Sequence, residues 1–222
     1  MIRTDNDRPS SGVNSRRTVL KWAGATAVAA VAFGVDVPGL KLSRAFAQAG
    51  VDLGSGDLGV LNYAYALEQL EAAFYTQVLA SPYSGMTRSE RSLLKDIKAH
   101  EIAHRSLFAR ALGGNRIPDL TPNFSAIDFA SRDSVLSTAV TFEDLGVAAY
   151  NGGGAAIQSP AYLAVAGSIV SVEARHAATL HYIIETSDPV DGKGLDQALA
   201  PSQVLPMAAP FIATPITASQ LS

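Results

Sequence analysis

Four stretches of the chain repeat apolar residues with the period of a helix, and none alternates over the length of a strand. The first runs over about 57–79, with Leu61, Ala64, Ala72, Tyr75 and Leu79 on its stripe and Asp57 expected as its N-cap. The second covers about 87–112. It opens on Thr87-Arg88-Ser89-Glu90, a capping-box pattern, and closes on Gly113-Gly114. The third covers about 132–150 and is expected to stop at Gly152-Gly153-Gly154. The fourth opens on Ser159-Pro160, a cap followed by proline at the first helical position, and ends near Glu185. A short turn joins the first two helices and a glycine-rich one joins the last two. The middle connection, 113–131, is long and holds Pro118 and Pro122. The pattern predicts an all-α fold over 50–186: a four-helix bundle of two helical hairpins with a long crossover between helices 2 and 3. A Pro-rich tail, 187–222, follows. Its segment 204–212 is apolar enough to form a short helix or to dock on the bundle.

The first 49 residues read differently. Ser15-Arg16-Arg17-Thr18-Val19-Leu20-Lys21 precedes an apolar, Ala-rich stretch, then the small-x-small sites Ala45-Phe46-Ala47 and Ala47-Gln48-Ala49. Charge, apolar run and small-residue site in that order mark a signal peptide. The paired arginines resemble the twin-arginine signal, with Val19 where that signal usually has Phe. The expectation is export of a folded domain to the periplasm or the exterior. The apolar run, broken by Gly24, Gly34 and Asp36, falls short of the roughly 20 residues that a membrane span needs. The leader also hides the charge balance. It holds seven Lys/Arg and three Asp/Glu, so the remainder carries 10 basic and 17 acidic residues, net −7. A domain this acidic is poorly suited to nucleic acid or anionic membranes.

Six residues sit on the apolar stripes where charge is out of place. They are Glu68 on the first helix, Glu101 and His104 on the second, Glu143 on the third, and Glu173 and His176 on the fourth. A carboxylate turned into a core costs on the order of several kcal/mol unless it is neutralised. Almost no basic residue falls on these stripes. A pair of divalent cations offsets four carboxylates, and Glu and His three apart on a helix reach one ion together. The chain has no cysteine, so any metal is held by Asp, Glu and His. The pattern also repeats. Glu68-Gln-Leu-Glu-Ala-Ala-Phe-Tyr75 aligns with Glu143-Asp-Leu-Gly-Val-Ala-Ala-Tyr150, and each is followed, 33 or 30 residues after its first Glu, by Glu-x-x-His. A duplicated hairpin with the same four-residue chemistry in each half is much harder to reach by chance than one Glu-x-x-His.

These motifs resemble the ferritin-like superfamily, and within it the exported ferritin-like proteins that include desiccation-related proteins. The resemblance spans about 58–185. It implies a dinuclear metal site, iron or manganese, with Glu101 and Glu173 bridging, Glu68 and Glu143 terminal, and His104 and His176 capping each ion. It also implies that Tyr75 and Tyr150 hydrogen-bond the site, and that metal ions and a small oxidant are the partners. Dioxygen, peroxide and ferrous iron all fit such a site, and an oligomer is compatible with it. Glu71, one turn from Glu68, is an alternative ligand; His100 and His181 are edge residues or neighbours of the ligands.

Three other readings share the residues. One is a non-enzymatic envelope stress or desiccation-related protein with a vestigial site. Another is iron storage. The third is a zinc metallopeptidase, because His100-Glu101-Ile102-Ala103-His104 matches His-Glu-x-x-His. The peptidase reading leaves the second Glu-x-x-His and the duplication unexplained.

Overall fold

The structure is a computed structural model that describes residues 50–186, 190 and 193–221; the leader lies outside them. Four long helices dominate: α1 (Gly56–Ala80), α2 (Arg88–Leu112), α3 (Arg132–Gly154) and α4 (Pro160–Ile183). α1 packs on α2, α3 on α4, and the two hairpins meet through α1 and α3. This is the bundle with one long crossover that the periodicity predicts.

The caps carry much of the local specification. The Thr87 hydroxyl accepts a hydrogen bond from the Glu90 backbone N–H, and the Glu90 carboxylate accepts one in turn from the Thr87 backbone N–H. The second Glu90 oxygen takes Arg132 Nε at 2.7 Å, so one capping box ties the start of α2 to the start of α3. Ser159 caps α4, with Pro160 at its first turn. Gly113 closes α2 at φ +54°, a conformation that glycine adopts without strain.

Two expectations about helix ends are corrected. Asp57 does not cap α1, whose N-cap is Ser55. Its carboxylate instead accepts the backbone N–H groups of Gln158 (2.7 Å) and Ser159 (2.9 Å), joining the start of α1 to the start of α4. Nor does α3 stop before its glycines; it runs through Gly154. The glycines serve packing. A Cβ on Gly152 would lie 1.9 Å from the Leu199 carbonyl oxygen, and one on Gly153 3.3 Å from the Tyr63 ring. The tail crosses α3 at that point, with Leu199 N–H donating to the Ala148 carbonyl.

Every residue from 59 to 72 is buried, on all faces of α1. The crossover and the tail cover the faces that α2 and α3 leave open. The tail forms α5 (Pro201–Ala208), which buries Val204 and Ala208, and a following 3-10 turn at Ala209–Phe211. It ends in a short parallel pairing of β2 (Ile216–Thr217) with β1 (Val51–Asp52). Buried polar groups on α1 anchor the crossover. Asn62 donates to the Leu53 and Asn115 carbonyls and accepts from Ile117 N–H, and Gln69 accepts from Leu120 N–H at 2.7 Å. Among the described residues no helix is long and apolar enough to cross a membrane.

Gly152→Ala is expected to push the tail off α3 and to destabilise the fold by about 1–3 kcal/mol, the usual cost of overpacking. Urea denaturation measures this, and a variant as stable as wild type would contradict the close crossing.

Candidate metal centre

The helices bring the six predicted residues together halfway along the bundle. Glu68, Glu101, Glu143 and Glu173 are all 0% exposed, and His176 is buried as well. His104 keeps 11% of its side chain accessible. One donor atom from each of Glu68, Glu101, His104 and Glu173 lies within 4.8 Å of the others, and the same holds for Glu101, Glu143, Glu173 and His176. Each group of four could hold a metal ion. The two groups share Glu101 and Glu173.

The contacts inside the cluster are close but mostly not hydrogen bonds. His104 Nδ1 is 3.0 Å from Glu173, 3.4 Å from Glu101 and 3.6 Å from Glu68, in directions that form no hydrogen bond. His176 Nδ1 is 3.1 Å from Glu101 and hydrogen-bonds Glu143 at 3.2 Å. Five carboxylate oxygens stay buried without a hydrogen bond: Glu68 Oε2 and both oxygens of Glu101 and Glu173. Orphaned buried oxygens on this scale are costly unless something else satisfies them. Lone pairs that converge on common points, rather than on donors, fit a pair of cations.

The tyrosines do hydrogen-bond the site, but crosswise. Tyr75 of α1 donates to Glu143 of α3, and Tyr150 of α3 donates to Glu68 of α1. Residues seven apart on one helix are separated by about 10.5 Å of rise. Each tyrosine therefore serves the glutamate of the facing helix, and the duplicated halves hold each other's ligands in place.

The surroundings break the symmetry. Glu71, only 4% exposed, is a fifth carboxylate beside the cluster but belongs to neither group. Its counterpart in the duplicated α3 segment is Gly146. A Cβ there would stand 3.2 Å from Glu71 Oε1 and 3.7 Å from Glu173 Oε2, so the missing side chain makes room for the extra carboxylate. His100 is exposed and lies outside both groups, which removes the His-Glu-x-x-His peptidase arrangement. Its Nδ1 instead meets His176 Nε2 at 2.9 Å and so orients the ring whose Nδ1 faces the cluster. His181 bonds Asp144, the neighbour of Glu143, and Thr186. The crossed tyrosines and the His100–His176 pair could not be read from one helix at a time, since both depend on which helices face each other.

Burial pushes Glu68, Glu71 and Glu143 well above the usual glutamate value, against the pull of His104 on Glu68 and of His176 on Glu143. Burial opposes the imidazolium forms, but the facing carboxylates outweigh it and raise His104 to about 12 and His176 to about 11. Glu173 goes the other way, to about 2: burial works against its ionisation, and the two histidines beside it prevail. Without metal, then, the cluster keeps protons that the unfolded chain would release.

Residues 56–186, more than half of the chain, match the family model described as a ferritin-like domain. No curated protein matches the chain.

The metal-free protein should lose stability as pH rises. Glu68, Glu71 and Glu143 keep protons in the folded state above the ordinary value of 4.5, while the unfolded chain has lost them. The histidines act in the same sense: their contribution is complete below about 6.5 and fades as pH climbs toward their folded values. Glu173 stabilises above 4.5 and loses that contribution only as pH falls toward 2. Urea midpoints of chelator-treated protein at pH 5, 6.5 and 8 should therefore fall in that order; a flat or rising series would contradict the assignment.

Proposed function

The chain belongs to the ferritin-like domain family, and from that premise we propose that it holds two metal ions, iron or manganese, at the buried carboxylate centre and presents them to a small oxidant. One observation carries the reading: the two four-residue groups share Glu101 and Glu173, whose four oxygens have no hydrogen-bond partner. Glu101 and Glu173 would then be the residues that both ions have in common. Glu68 and His104 would complete one coordination shell, Glu143 and His176 the other. Two divalent cations balance the four carboxylates and leave both imidazoles neutral, as metal binding requires.

When bound, iron or manganese would supply redox electrons for dioxygen or peroxide. The chain's own part is positional. Tyr150 and Tyr75 hold Glu68 and Glu143 at fixed angles, and His100 sets the ring plane of His176. The burial of α1 on all sides keeps bulk water from competing for the ligands.

Elemental analysis should find about two ions per chain in wild type, and Glu101→Gln or Glu173→Gln should each lose most of both. At free metal 100-fold above Kd, binding stabilises by about 2.7 kcal/mol, roughly 5–10 °C in Tm for a chain of this size. Absence of metal under every loading condition, with chelator leaving the melt unchanged, would overturn the reading and favour a vestigial site.

Export through the twin-arginine pathway is part of the same proposal, because that pathway carries domains already folded and loaded. Replacing Arg16 and Arg17 with Lys should leave the precursor in the cytoplasm, as fractionation and immunoblotting would detect; undiminished export would exclude this pathway.

A further inference from the structure

Along its axis the bundle has three different fillings. At one end the aromatic rings of Phe74, Phe142, Phe124 and Phe211 pack edge to face, with centroids 4.8–6.0 Å apart. The carboxylates and histidines occupy the middle. At the other end the same four helices line a cavity of about 110 Å³ that opens to solvent on one side. Ala64 and Leu67 line it from α1, Leu107 and Phe108 from α2, Tyr150 from α3 and Ala166 from α4. Its exposed surface is entirely apolar.

Two features make this more than a packing defect. The first is size. A dry cavity of roughly 150 Å³ lined by such side chains takes up benzene or xenon, whereas water, with no polar partner, gains nothing by entering. The second is position. Leu67 precedes Glu68 in sequence, Leu107 and Phe108 lie one turn from His104, and Tyr150, which lines the cavity, hydrogen-bonds Glu68 through its hydroxyl. One ring thus stands between the cavity and the carboxylate cluster. Ala111 and Val165, also in the lining, are exposed and mark its outer side.

We infer that this cavity is a binding chamber for a small apolar molecule, dioxygen or a hydrocarbon of about benzene size, that meets the metal centre on its Glu68 side. A charged or strongly hydrated species gains nothing from such walls, so the chamber favours dioxygen over peroxide as the oxidant that enters this way. That the occupant serves the centre rests on the function proposed above; binding in the chamber does not.

Xenon and benzene are the probes, and methyl and aromatic NMR of the full chain is the readout. In chelator-treated protein both probes should give saturable shifts at Leu67, Leu107 and Tyr150. Ala166→Leu, which fills the chamber, should weaken binding at least tenfold; if it folds poorly, Ala64→Val makes the same test with less added volume. Shifts that do not saturate, lie elsewhere or persist undiminished in both variants would overturn the inference. In metal-loaded protein, Ala166→Leu slowing dioxygen consumption more than peroxide consumption identifies dioxygen as the occupant. Equal rates together with intact benzene binding by wild type identify a hydrocarbon. Probe binding with no metal uptake would sink the proposed function and keep the chamber. Metal uptake with no probe binding would do the reverse.

Discussion

Four glutamates buried at one level of a small bundle set the terms for everything around them. In a low-dielectric interior, like charges at these separations cannot all ionise unless opposite charge is supplied at the same spot. Among the described residues, the ion pairs of these carboxylates are all with His104 and His176, and two imidazolium groups cannot balance four carboxylates. The chain is left with protons or metal ions. Protonation makes Glu68, Glu71 and Glu143 neutral, and as the side chains stand the oxygens of Glu101 and Glu173 make no hydrogen bond. The proposed metal ions would answer both the charge and the orphaned lone pairs at once.

The same constraint explains where the duplicated halves stay alike and where they diverge. The glutamates, the histidines three residues after two of them, and the crossed tyrosines are kept in both halves, because each touches the charge directly. Positions one turn away are free to differ. α1 has Glu71 where α3 has Gly146, and the two are matched, since a Cβ at 146 would stand 3.2 Å from the Glu71 carboxylate. Likewise Gln69 secures the crossover, while its counterpart Asp144 secures His181. His100 supports only one of the two histidines. The cluster is symmetric in its donors and asymmetric in its supports, so the two ion positions proposed above should differ in affinity.

The helices, the Thr87 and Ser159 caps and the six inward residues were legible in the sequence because each is a local signal: a period, a capping pattern or a charge on an apolar stripe. The failures share a cause. Gly152, Gly153 and Gly154 look like a stop, but they answer to a chain segment some 45 residues away, through the Leu199 carbonyl that would meet a Cβ at position 152. Asp57 looks like a cap for its own helix and instead serves the start of α4. The stripe on α1 reads as one face of an amphipathic helix, yet Asn62 and Gln69 are buried as well. Their amides satisfy the backbone of the crossover, a partner that no helical period encodes.

That last point bears on how the centre keeps its geometry. α1 is held on more than one face: Asn62 and Gln69 tie it to the crossover, and Gly59 leaves room for the Gly54 backbone and the Leu221 side chain against its first turn. Glu68 lies between those two pins, one residue before Gln69. Its carboxylate is therefore fixed from the backbone side by the amide network and from the tip by Tyr150. At the proposed metal site, a side chain held from both ends would relax little when a cation arrives or leaves, so little coordination energy would be spent on ordering it. The long crossover and the tail, which contribute no ligand, thus act on the chemistry through α1: they turn four repelling carboxylates into a preorganised cage and not a loose acidic cluster.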